Sequence, residues 1–415
     1  MNAIVSSKQE PEGSPPSPPT AASSLEARLL QRLLQSAGNL DVELLLGNEI
    51  VVRAGDPRGT SAGRVRIKDR ATLYRMLRDP QIGFGEAYSE GRVDVEGDLV
   101  KLLESAYRAS PPERRRGVLA RLVGRRPRAN TLAGSRENIH HHYDLGNEFY
   151  SLWLGSTMAY TCAYYPTEGA TLDQAQLAKF DHVCRKIRLK SGENVVEAGC
   201  GWGGLAMHMA EHYGAKVRAF NISKEQIKWA REQARARGLA GQVEFIEDDY
   251  RNVTGQCDAF VSVGMLEHVG VENYPALGRL IRRVLPANGR GLIHSIGRNS
   301  PGELHPWIEK HIFPGAYPPS LAQMTQIFEP NGLSVLDVEN LRLHYAHTLR
   351  DWLGLYESAV DRVRELYDER FVRMWRLYLA GSIAAFTTGT LQLFQVVFAT
   401  AENNELPATR AHLYA

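Results

Sequence analysis

The apolar and polar positions divide the chain into a short mixed stretch and a longer one where helical and strand periods alternate. Leu25, Leu29, Leu30, Leu33 and Leu34 recur at helical spacing, which predicts an amphipathic helix. Strand-length runs follow at 41–46, 49–52 and 64–67, then a helical stretch from Asp69, the segment 83–88 and a strand-like piece at 93–98. Together they read as a small α+β domain over residues 25–110, within the usual domain range. Further on, helices are expected at 172–187, 205–212 and 224–237, and strands at 216–221, 243–247, 259–263 and 291–293. Such alternation predicts a parallel sheet with helices on both faces and ligands at the carboxyl ends of the strands. The uncharged stretch 377–401 contains Ser382, Thr387, Thr388, Thr390, Gln392 and Gln395. It is too polar for the roughly 20 apolar residues of a bilayer crossing. A buried helix to about Phe386 and a strand near 391–400 are expected instead.

One segment organises the longer stretch. Val195 and Val196 lead through Glu197 and Ala198 into Gly199-Cys200-Gly201-Trp202-Gly203-Gly204, a buried strand turning into a helix. Glycines let a ligand approach the backbone closely, and the helix start behind them offers unpaired N–H groups. The spacing fits a dinucleotide loop, but that reading wants a carboxylate about 20 residues on to hold the ribose. Asn221 stands there instead. Glu197, two residues before the first glycine, resembles the acid of the first motif in S-adenosylmethionine (SAM) methyltransferases, where it helps anchor the methionine part. SAM is therefore the preferred ligand over a nicotinamide cofactor or a glycine turn without ligand.

Other strand ends carry candidate chemistry. Asn221, Ile222 and Gln226 follow the second strand, and Asp249 and Tyr250 the third. Glu267 follows the fourth, and His294 ends the fifth as read here. A Glu and a His in one crevice suit proton chemistry or anion positioning, with a structural ion pair as the alternative. His140, His141 and His142 are adjacent, not spaced to ligate one metal from a helix, so no metal is expected. The aromatic-rich 158–165 segment reads as core packing, and 305–317 as an acyl-chain wall, a lipid-interface element or an ordinary lid.

Composition adds limits. The 415 residues suit two domains, with 43% hydrophobic and 23% charged residues as in a soluble globular protein. Residues 1–24, rich in Pro, Ser, Gly and Glu, read as a disordered tail. The linker 111–134 holds Arg114, Arg115, Arg116, Arg121, Arg125, Arg126 and Arg128. It is a solvated stretch or a contact for an anionic membrane surface; without interleaved aromatics, nucleic acid is not expected. The four cysteines show no metal spacing or disulfide framework, and no signal peptide is visible, so a cytoplasmic location is expected.

Val196–Gly204, Ser262–Gly270, Phe313–Tyr317 and His344–Leu349, in that order, resemble the cyclopropane-fatty-acyl-phospholipid synthases and the related mycolic acid enzymes. The resemblance is strong over about 135–400, and 25–110 resembles the small N-terminal domain of the phospholipid-acting members. It implies a Rossmann-like class I SAM methyltransferase domain over 135–415 and an N-terminal domain serving lipid binding or dimerisation, hence a homodimer. It implies addition of the SAM methyl carbon across a cis double bond of a membrane phospholipid, at the inner face of the membrane. Bicarbonate is the implied base, held by Cys162, Glu267, His294 and Tyr345. Tyr160, Thr161, Glu197, Gly199, Gly201, Gly203, Asn221, Ile222, Gln226, Asp249 and Tyr250 are the implied SAM residues. Ser382 stands where bacterial members commonly have a cysteine and is expected to support the anion site. A methyl-branched or methylene product, and a non-catalytic SAM- or lipid-binding protein, are the alternatives.

Overall fold

The computed structural model describes residues 25–38, 40, 42–47, 50–53, 63–109, 145–405 and 407–414. The tail 1–24, the arginines of 114–128 and the histidines 140–142 lie outside the described residues. In the small domain, β1 (Glu43–Leu46), β2 (Ile50–Arg53), β3 (Arg64–Ile67) and β4 (Val93–Glu96) form a sheet of order β2-β1-β3-β4. Asp69 caps helix Arg70–Arg78 by accepting from the Thr72 N–H, the side-chain oxygen satisfying a backbone donor the helix leaves free.

The large domain is built on seven strands in the order β10-β11-β9-β8-β5-β6-β7. These are β5 (Asn194–Ala198), β6 (Lys216–Asn221), β7 (Val243–Glu247), β8 (Ala259–Val263), β9 (Arg290–Gly297), β10 (Leu333–Asn340) and β11 (Gln392–Thr400). β5 to β9 pair in parallel, and every residue of central β8 is buried, as a strand covered on both faces requires.

The all-parallel expectation fails at one edge: β11 runs antiparallel between β9 and β10. Helix Glu369–Thr387 delivers it through a turn in which Gly389 takes φ +78°. A second correction follows. β11 continues beside β9 from Gly297 to Arg290, past the last β8 pair at Val263–His294. The longer ladder makes β9 eight residues, so His294 lies inside the strand rather than at its end.

The small domain docks on elements that wall the site. A Cβ at Gly85 would stand 2.4 Å from the Trp307 indole, so only glycine permits this approach. The Arg373 guanidinium lies 4.3 Å over the Tyr88 ring and donates to the carbonyls of Tyr88 and Val93. Glu86 bonds Lys310 (2.5 Å) and His311 (2.8 Å) of helix Pro306–His311. Trp307 and Ile312 are buried, 3% and 1% exposed, which removes them as membrane-inserting groups. Among the described residues no helix is long and apolar enough to cross a membrane.

Candidate active site

The glycine turn shapes one cavity. Gly199, Gly201 and Gly203 take φ +83°, +53° and +80°, and the N–H groups of Gly199 and Cys200 both donate to the Phe220 carbonyl. The turn is thereby fastened to β6. Asn221 adds to this, its amide donating to the Gly201 carbonyl (3.2 Å) and to Gln226 Oε1 (2.7 Å). Of the residues singled out in the sequence, Tyr160, Thr161, Glu197, Gly199, Gly201, Asn221 and Gln226 line this cavity.

Four others do not line it. A Cβ on Gly203 would meet the Phe245 ring at 2.5 Å, so this glycine serves the packing of helix Gly204–Tyr213 against the sheet. Ile222 stands outside the wall. Asp249 is committed to Arg251, accepting from its Nε (2.8 Å), Nη2 (2.8 Å) and backbone N–H (2.9 Å). Tyr250 packs under the same guanidinium at 5.6 Å. Lys179, Met265 and His268, which sequence reasoning passed over, are in the wall. Burial pushes the Glu197 carboxyl up to about 8, against the pull of Lys179, and draws Lys179 down to about 8. Burial also holds His268 neutral, pulled down to about 4.

A second site lies where β8 gives out. The Gly264 N–H takes the His294 carbonyl, and beyond it the Ile296 N–H has no strand to meet. Glu267, in the turn Leu266–His268, fills that position, its Oε1 accepting from Ile296 N–H at 2.5 Å. Its Oε2 is buried and makes no hydrogen bond of normal geometry; burial pushes the carboxyl up to about 7, against the pull of the Ile296 N–H and the nearby Ser295 hydroxyl. Tyr317 N–H donates to the Glu267 carbonyl at 2.8 Å, tying the Phe313–Tyr317 loop to this turn.

His294 is 1% exposed, and burial, with Lys179 second, drives its pKa far down, so the ring is neutral. Its Nδ1 lies 3.1 Å from Gln395 Nε2. With the amide in this assigned orientation, Nδ1 accepts and the proton sits on Nε2.

Hydrogen bonds through Leu341 tie Tyr345 and Cys162 to β11, the strand beside β9. The Leu393 carbonyl, on the β11 residue facing Ile296, accepts from Leu341 N–H at 2.8 Å. The Leu341 carbonyl then accepts from Tyr345 N–H (3.1 Å) and lies 3.9 Å from Cys162 Sγ. The Cys162 thiol is buried, and burial raises its pKa so far that it stays protonated.

Aromatic rings surround Tyr345 and Tyr160. Tyr345 lies 4.6 Å from Phe386 and 6.0 Å from Trp352, and Tyr160 packs on Trp153 (5.2 Å) and Trp352 (5.4 Å). Tyr378, Ser382 and Phe386 share one stripe of helix Glu369–Thr387, with Tyr378 bonded to Tyr160 through their hydroxyls (2.7 Å). That stripe carries Ser382 between the two rings that touch Tyr160 and Tyr345.

A SAM-type loop, a buried acid beyond the end of β8 and an aromatic cluster around Tyr160 and Tyr345 agree with the match of residues 131–396 to the family model described as mycolic acid cyclopropane synthetase. The chain belongs to that family. Residues 29–113 match a model described only as a domain of unknown function. The cyclopropane-fatty-acyl-phospholipid synthase of Escherichia coli K12 is 36% identical over 88% of this chain and 95% of its own length. A tuberculostearic acid methyltransferase of Mycobacterium tuberculosis is 34% identical over 92% of each chain. Among solved structures, the mycolic acid cyclopropane synthase CmaA1 with S-adenosylhomocysteine superposes with a TM-score of 0.61 and 29% identity, over 64% of this chain and 98% of its own. The protein is a SAM-dependent methyltransferase of the class I fold.

Proposed function

We propose that the protein transfers a methylene from SAM to the cis double bond of unsaturated phospholipid acyl chains, closing a cyclopropane ring with bicarbonate as base. The observation that carries this reading is Glu267, a buried carboxyl with one oxygen bound to a strand N–H and the other unpartnered. A buried polar atom without a partner costs free energy unless a ligand meets it. With its pKa near 7, Glu267 keeps a proton part of the time and can offer Oε2–H to an anion. Neutral His294, with Nε2–H, is a second donor, and the Tyr345 hydroxyl a third. Neutral donors in a buried chamber suit a small anion better than charged ones, which would themselves need compensation.

When bound, SAM supplies the electrophilic methyl carbon and bicarbonate accepts the proton lost before ring closure. The chain's own groups do the rest. Glu197 and the glycine turn would hold the methionine end of the cofactor. Tyr160, Trp153, Trp352 and Phe386 hold the acyl chain; their π faces stabilise positive charge developing on the former alkene carbons. Their packing also excludes water, which would otherwise trap that cation as an alcohol. The same reading has the protein act as a homodimer at an anionic inner-membrane surface, drawn there by the linker arginines.

Expression in a host lacking cyclopropane rings, with mass spectrometry of its phospholipids, tests the reading. The expected product gains one CH2 and loses its double bond. A methylated product that keeps an alkene points to the branched-chain or methylene alternative, and unchanged lipids contradict the proposal.

A further inference from the structure

Lys179 belongs to neither site as the sequence defines them. It lies on helix Leu172–Lys186, whose Gln176 donates to the Ala159 and Thr161 carbonyls at 3.2 and 2.9 Å. One turn on, Lys179 is 1% exposed and lines the cofactor cavity. A long cationic side chain is almost never fully buried unless it is paired. Here Nζ donates to Thr161 Oγ1 at 2.7 Å and lies 4.4 Å over the Phe180 ring. Glu197 attracts it through space, yet Glu197 Oε2 is itself buried without a partner. An amine and a carboxyl thus line one cavity, and the amine's bond goes to Thr161 rather than to the Glu197 Oε2.

An ammonium has donors only, so Thr161 Oγ1 must be the acceptor in the 2.7 Å bond. That leaves the threonine proton free to be donated elsewhere, and Thr161 also lines the cavity. The wall therefore presents a hydroxyl donor backed by a buried amine, and a carboxyl whose Oε2 lacks a donor.

We propose that Lys179, acting with and through Thr161, recognises the α-carboxylate of the cofactor's amino-acid end, while Glu197 takes its α-ammonium. The inference rests on the SAM reading and deepens it. It makes the cavity selective for a zwitterion rather than for the adenosine thioether alone. A zwitterion meets both wall groups at once and favours their charged forms, whereas a ligand lacking that end leaves the buried amine and the buried acid as they were.

Calorimetry on the full-length protein separates the outcomes, using S-adenosylhomocysteine and 5′-methylthioadenosine, which lacks the amino-acid end. The wild type should bind S-adenosylhomocysteine the more tightly. Lys179→Met, an unbranched replacement of similar length, should weaken S-adenosylhomocysteine roughly 10- to 100-fold, the scale of a lost hydrogen bond to a charged group, and leave methylthioadenosine within about twofold. Thr161→Val should show the same selective loss, and carries the test if Lys179→Met does not fold. Equal weakening of both ligands would make Lys179 a pocket-shaping residue and overturn the proposal. So would unchanged S-adenosylhomocysteine affinity. Wild-type protein binding both ligands equally overturns the proposal and leaves the SAM reading standing; binding neither overturns both.

Discussion

The cofactor cavity and the proposed anion site are built by opposite means. The cavity hangs on one contiguous run, Glu197 to Gly204, pinned by two N–H bonds to Phe220 and by the Asn221 amide. The proposed chamber would draw Cys162, Glu267, His294 and Tyr345 from four separate segments, with β11 linking β9 to Leu341 and Tyr345. The first offers a ligand its backbone shape, and the second, as proposed, would bind through side chains whose protonation the fold sets by burial. Damage to the first should therefore abolish binding, and damage to the second should abolish turnover while binding survives.

The largest effect is expected at Gly199. It holds φ +83°, and an added Cβ would stand 2.9 Å from the Met265 Cβ. Gly199→Val joins a β-branched residue's backbone strain to a clash, so S-adenosylhomocysteine binding should fall below detection in calorimetry. Next is Glu267→Ala, which removes the Ile296 partner and the free Oε2 together. Its kcat should drop about 10²–10³-fold, the scale of a lost preorganised donor, with S-adenosylhomocysteine affinity within about twofold. A parallel loss of affinity would merge the two sites.

Gln395→Leu sharpens the comparison, since Gln395 reaches neither ligand but sets which ring nitrogen of His294 carries the proton. Loss of such an orienting partner costs roughly 10–100-fold in related settings. A drop of about tenfold in kcat is expected, with unchanged cofactor affinity and a shifted pH profile. The smallest effect is in pH. Glu267 is raised to about 7, so below that it is a neutral donor and above it a carboxylate that repels an anion. Apparent bicarbonate affinity should fall several-fold from pH 7 to 8. Glu267→Gln, a permanently neutral donor, should flatten that dependence.

The contrast also explains what was legible in the sequence. The glycine turn was readable because strand, acid and glycines are consecutive, and β6, β7 and β8 fall where periodicity placed them. His294 was read as a strand end because the strand that lengthens β9 comes about a hundred residues later and antiparallel. Gly203 was grouped with its neighbours by spacing, although its missing Cβ makes room for Phe245 rather than for a ligand. Lys179 is legible in the helical period. It shares the buried helical period of Leu172, Gln176, Val183 and Lys186, where a lysine on an otherwise solvated helix would not fall. Gln395 looked like one more polar residue arguing against a membrane span; only the β9–β11 register puts it on His294.

The most direct test of the account is turnover in carbonate-free buffer, with and without added bicarbonate, for the wild type and Glu267→Ala. The account predicts that the wild type slows when carbonate is removed and recovers when it is restored, while Glu267→Ala responds far less at equal S-adenosylhomocysteine affinity. A wild-type enzyme that runs equally fast without carbonate would make the base a group of the protein and contradict the assignment of the second chamber as an anion site.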